Sequence, residues 1–150
     1  MTIPWAIKFL FALVVGFVAW FVVATLANML IRALLPGYAE AELATRFTLP
    51  MLIARLVVGG VSSGAAGFAC ALTARSVPVV VKVFAAALVL FFIPVHYSLW
   101  TQFPLWYHAT FLVSLAPLVL VGARIARRFA SEVPGGAPSA VPKIPLDRKP

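Results

Sequence analysis

Acidic residues are nearly missing from this sequence. Four Asp and Glu stand against twelve Lys and Arg in 150 positions, a formal net charge of +8. None of the four falls within a long apolar run. Ionisable groups at membrane depth are the usual markers of transport. Small four-span drug exporters carry a carboxylate in their first helix, where this chain has Asn28. That argues against proton antiport. Charge of either sign is sparse, at 11% of residues, where a soluble domain has about 25%. With 63% hydrophobic residues, the chain belongs among integral membrane proteins. Cysteine is reduced to Cys70. It excludes an internal disulfide, a CxxC redox pair and a thiolate zinc cage, and reads as a small buried apolar residue. No basic stripe is interleaved with exposed aromatics, so nucleic acid is not an expected partner. The basic residues flank apolar runs instead, where orientation in the membrane and anionic lipid near Arg124, Arg127 and Arg128 account for them.

What the chain has in abundance is uncharged length. Phe9 to Ile31 is 23 residues without a charge, Leu56 to Ala74 is 19, and Val83 to Ala123 is 41. At about 1.5 Å per helical residue across about 30 Å of hydrocarbon, the first two runs make one span each and the third makes two. The third must fold back near Pro94 and Pro104, since proline lacks an N–H and disfavours helix in the residue before it. The expected architecture is all-α, four transmembrane helices in a bundle: Trp5 to Leu35, Pro50 to Arg75, Pro78 to Ile93 and Leu105 to Arg128. The third stops before Pro94 or runs past it with a kink. The first span is longer than a signal-peptide core and has no clear cleavage site, so it reads as a retained helix. The domain is 1–128, and 129–150 is a Pro/Gly-rich tail expected to be disordered.

If the N-terminus is cytoplasmic, that side holds Lys8, Arg75, Lys82, Arg124, Arg127 and Arg128, against Arg32, Arg46 and Arg55 on the other. Lys/Arg excess marks the cytoplasmic side, so both termini are expected inside, in a cell inner membrane. The outer loop turns at Pro36-Gly37. Leu43 with Phe47, and Glu42 with Arg46, are spaced four apart, as in a short interfacial helix with its apolar face down.

Polar residues gather toward the expected outer side: Asn28, Arg32 and Arg55, with Gln102 from the turn between spans three and four. Together they would line one outward-facing pocket; separately, the arginines would reach headgroups and Asn28 would bond across helices. The turn itself lies in "FFIPVHYSLWTQFPLWYHATF", which carries both histidines. Tyr97, Trp100, Trp106 and Tyr107 fit an aromatic belt at the membrane interface, and His96 and His108 share its amphipathic character. The alternative is a metal site in which His96 and His108 are joined by Glu40 or Glu42. Span two contains "VVGGVSSGAAGFACA", with Gly60, Gly64 and Gly67 on one face and Gly59, Ser63, Ala66 and Cys70 on the next. Small residues allow close approach of helix backbones, so this face is expected to pack. Pro117 should free the carbonyl of Val113 and bend span four.

The stretch "FPLWYHATFLVSLAPLVLVGARIARR", with the glycine-rich second span, resembles small uncharacterised four-span bacterial inner-membrane proteins. Pro104, Leu105, Trp106, Pro117 and Gly122 are the matching positions. The resemblance implies an inner-membrane location and no particular activity. The functional expectation is a non-enzymatic structural or interaction subunit without a cofactor, self-associating or within a larger membrane complex. The alternatives are a transporter or channel component, or a metal- or quinone-binding redox protein.

Overall fold

The structure is a computed structural model that describes residues 4–74 and 79–132. Arg75, Pro78 and the tail beyond Glu132, all used in the expectations above, lie outside the described residues. Among the described residues the fold is all-helical. The elements are α1 (Trp5–Leu34), α2 (Tyr38–Ala44), α3 (Leu49–Thr73), α4 (Val79–Ser98) and α5 (Leu105–Glu132). Helices α1, α3, α4 and α5 are each long and apolar enough to cross a membrane. The shortest, α4, has 20 residues, which is about 30 Å of helix.

Of the two readings left open at Pro94, the helix takes the second: α4 does not end at Ile93 but continues through Pro94 to Ser98. Pro94 is exposed, so its ring and missing N–H disturb only the outward side of the helix. Helix α5 runs four residues past Arg128, to Glu132, so the start of the expected tail is helical.

The helices wear their apolar surface outward. Along α1 only Ala12, Gly16 and Trp20 are buried, a stripe of every fourth residue. Leu10, Val14, Val18 and Val22 on its other sides are exposed. A helix apolar all round is a membrane span or the core of a large protein. In lipid, outward leucine and valine cost nothing, and the helix satisfies its own backbone.

The bundle is therefore held by close packing. Helix α3 lies most extensively against α5 and α1, and α4 packs mainly on α5. The α3–α5 seam is closed by glycine. A Cβ on Gly67 would fall on the backbone carbonyl of Val119, and one on Gly122 on the carbonyl of Gly64. These two helices touch backbone to backbone, where packing and weak Cα–H···O contacts act. The expected glycine face is the right one, but its members are unequal. A Cβ on Gly64 would meet nothing nearer than Leu118 O at 4.0 Å, and one on Gly60 would stand 3.2 Å from Leu118 Cδ1. Gly64 matters for its backbone, against which Gly122 of α5 lies, and less for its own missing side chain. Behind the seam Phe84, Leu88, Phe92, Phe111, Leu115 and Cys70 form the core.

Candidate functional site

The site is built at the bundle end where α1 and α4 finish and α3 and α5 begin. Its first support is a turn. The N–H of Leu35 closes α1 on Ile31 O at 2.8 Å, and Gly37 follows with φ 74°. A left-handed backbone there suits glycine, which has no Cβ to clash. The turn drops α2 back against the bundle, and Tyr38, the first residue of α2, is fully buried.

Tyr38 is the hub. Its hydroxyl donates to Asn28 Oδ1 at 3.1 Å and accepts from Arg55 Nη1 at 3.2 Å. Burial raises the phenol pKa above its ordinary value, partly offset by the Arg55 charge and hydrogen bond. The hydroxyl therefore stays protonated and keeps its donor role at neutral pH. One turn along, Glu42 Oε1 accepts from Asn28 Nδ2 at 3.2 Å, and Oε2 accepts from Arg32 Nε at 2.7 Å. Arg32 Nη2 adds a second contact at 2.6 Å, and Arg55 Nη1 stands 3.6 Å from Oε1. A single carboxylate thus joins two arginines, and α2 is strapped to α1 and α3. The Arg55 guanidinium also lies over the Phe47 ring, 4.7 Å from its centroid, a cation–π contact.

The expected polar cluster is real for Asn28, Arg32 and Arg55, and Glu42 belongs to it. Gln102 does not: it is exposed and absent from the cluster's hydrogen bonds and the cavity wall. The expected pairing of Glu42 with Arg46 is replaced by Arg32 and Arg55, because α2 ends at Ala44, before Arg46. Leu43 and Phe47 do not share a face. Leu43 is 90% exposed, whereas Phe47 packs at a tilt against Tyr38 and Phe103.

The histidines are not belt residues. His96 and His108 are buried, at 5% and 1% exposure. Their Nδ1 atoms lie 2.8 Å apart, so one ring donates to the other and the roles can exchange. The continuation of α4 past Pro94 brings this about: it carries His96 down to face His108 in the first turns of α5. Trp100 stacks on His108 at 5.1 Å between centroids and 17° between planes, and Phe111 lies 4.5 Å from His96. Tyr107, also expected in the belt, is buried beside His96. Only Tyr97, Trp100 and Trp106 of the expected belt are exposed. The metal alternative finds its two imidazoles together but not its carboxylate. Two imidazoles on one zinc would stand about 3.3 Å apart at ordinary bond lengths; here they are at hydrogen-bond distance. Glu42 is taken by arginines and Glu40 is exposed. Among the described residues no three such side chains converge.

Between the arginine cluster and the histidine pair lies a cavity of about 200 Å3. Trp20, Phe92 and Phe111 are among its apolar walls, and Asn28, Glu42, Arg55 and His96 among its polar ones. Trp20 is held by a hydrogen bond from Nε1 to Ser63 Oγ at 3.1 Å. Arg55 Nε and His108 Nε2 are buried beside the cavity without a hydrogen-bond partner. Tyr38, Trp20 and Ser63 were not among the expected site residues, since nothing local in the sequence joins positions 43 residues apart.

Comparison with protein-family models, curated proteins and solved structures gave no match. The chemistry of the cavity therefore carries the functional reading.

Proposed function

We propose that this chain is a non-enzymatic, multi-pass inner-membrane protein that works by binding, its cavity receiving the polar end of an amphipathic molecule. The observation that supports this reading is the cavity's mixed wall, in which the aromatic rings of Trp20, Phe92 and Phe111 stand with Asn28, Glu42, Arg55 and His96. Arg32 and Arg55 exceed Glu42 by one positive charge, so an anionic or strongly accepting head is favoured. At about 200 Å3 the space is below the usual 300–1,000 Å3 of small-molecule sites, which suits a head with its tail outside. A role as a structural or interaction subunit is compatible with this, the bound molecule being what the subunit presents or senses.

The test is extraction. An amphiphile is expected to co-purify with the wild-type protein near one per chain and to be lost from Ala24→Phe, which fills the cavity from α1, and from Arg55→Gln. Equal extracts from wild type and Ala24→Phe would overturn the reading. One observation favours a redox variant of it: His96 lines the same cavity, and an imidazole can donate to a quinone carbonyl. A quinone in the extract, identified by its ultraviolet spectrum, would select that variant.

We also propose that both termini are cytoplasmic, on the strength of the Lys/Arg distribution. With Cys70 replaced by Ala, Glu40→Cys is expected to react with an impermeant thiol reagent added to intact cells, and Ser131→Cys is not. Labelling of Ser131→Cys alone would invert the topology.

A further inference from the structure

At the opposite end of the bundle, the start of α4 and the end of α5 enclose a cleft of about 470 Å3. Lys82 enters it from α4, and Arg124 and Arg127 from α5. The two arginines are three apart and so share a helix face. Val81 and Leu120 are among its apolar walls. Among the described residues the ion pairs are Arg32–Glu42 and Arg55–Glu42, both at the other end. Three like charges thus converge without a carboxylate among them. The N-terminal turn of α4, where Val79 borders the cleft, adds the positive end of a helix dipole.

We propose that this cleft binds the headgroup of one anionic phospholipid, its phosphodiester between Lys82, Arg124 and Arg127 and its glycerol against the apolar walls. The charge selects an anion, and the apolar lining selects one that carries hydrocarbon beside it; a free phosphate would have no use for Val81 and Leu120. Basic pockets between transmembrane helices are places where acidic lipid heads bind. The site is separate from the aromatic-end cavity and stands whatever occupies that one. It also differs from a general attraction of basic helix ends to lipid. Arg128, the next residue, carries the same charge but does not line the cleft, so the proposal separates neighbours.

The experiment is native mass spectrometry of the detergent-solubilised full chain with added phosphatidylglycerol or phosphatidylcholine of matched acyl chains. Phosphatidylglycerol is expected to bind at one per chain, about 30-fold tighter than phosphatidylcholine. Lys82→Gln with Arg124→Gln should abolish that preference, while Arg128→Gln keeps it. Lys82, Arg124 and Arg128 are all exposed, so each variant is expected to fold, checked by helical circular dichroism. An excess of inorganic phosphate should not displace the lipid. Equal binding of the two lipids would overturn the proposal, as would an equal loss in Arg128→Gln, which would show diffuse surface attraction. Displacement by inorganic phosphate would assign the cleft to a soluble anion instead.

Discussion

Gly122→Leu is expected to abolish the folded bundle. Even a Cβ at this position would overlap the backbone of Gly64. Ordinary overpacking costs about 1–3 kcal/mol because side chains rotate aside; a backbone carbonyl cannot, so α3 and α5 would have to separate along their length. The same holds at Gly67, against Val119. Gly64→Ala is the control. Its Cβ would make ordinary contact with Leu118 O at 4.0 Å, and its unfolding in detergent should stay close to wild type. Expression, monodispersity and thermal unfolding of Gly122→Leu, Gly67→Leu and Gly64→Ala measure this directly. A Gly122→Leu protein as stable as wild type would mean that α3 and α5 are not in backbone contact.

Removing the carboxylate at position 42 is the next largest effect. Glu42→Ala leaves Arg32, Arg55 and the Asn28 amide without their shared acceptor. Breaking a fully buried ion pair costs about 3–5 kcal/mol. Glu42 retains 24% side-chain exposure and Arg32 52%, so the cost should be about 2 kcal/mol after solvent screening. Arg32→Gln should cost less than about 1 kcal/mol, since its half-exposed guanidinium loses little. The loss should appear locally, as faster proteolysis or hydrogen exchange of α2, because α2 is held by this strap. A double-mutant cycle between Glu42→Ala and Arg55→Gln should give a coupling well above the error of additivity. Full additivity would show that Arg55 leans on Tyr38 and Phe47 alone.

Much of this protein follows from local rules. Charge-free runs of set length fix four spans in any sequence placed in a bilayer, because a helix is the simplest way to satisfy each backbone group there. Pro36-Gly37 marks its turn for the same local reason, and the small residues of α3 mark a face that must pack because lipid gives helices no hydrophobic push together. Which glycine on that face is indispensable depends on how α5 is set against α3, and the sequence carries no measure of that offset. The histidines show the same divide more sharply. The local rule about proline leaves α4 free to stop at Ile93, with His96 at the surface, or to run on past Pro94. The bundle takes the second course with Pro94 on the outward side, and three more residues of helix bury His96 against His108. The polar cluster was legible as a set of residues near one end, since Asn28, Arg32 and Arg55 sit near helix ends. Its chemistry was not. Tyr38 and Glu42 become partners of those residues only when α2 folds back under α1, and hydrogen-bond partners ten to seventeen positions apart leave no periodic trace. The sequence alone determined which segments are long and apolar enough to cross a membrane, because that is set by length and polarity segment by segment. Which side chains meet was decided by the tertiary structure, because a meeting depends on the relative placement of helices that no single segment encodes.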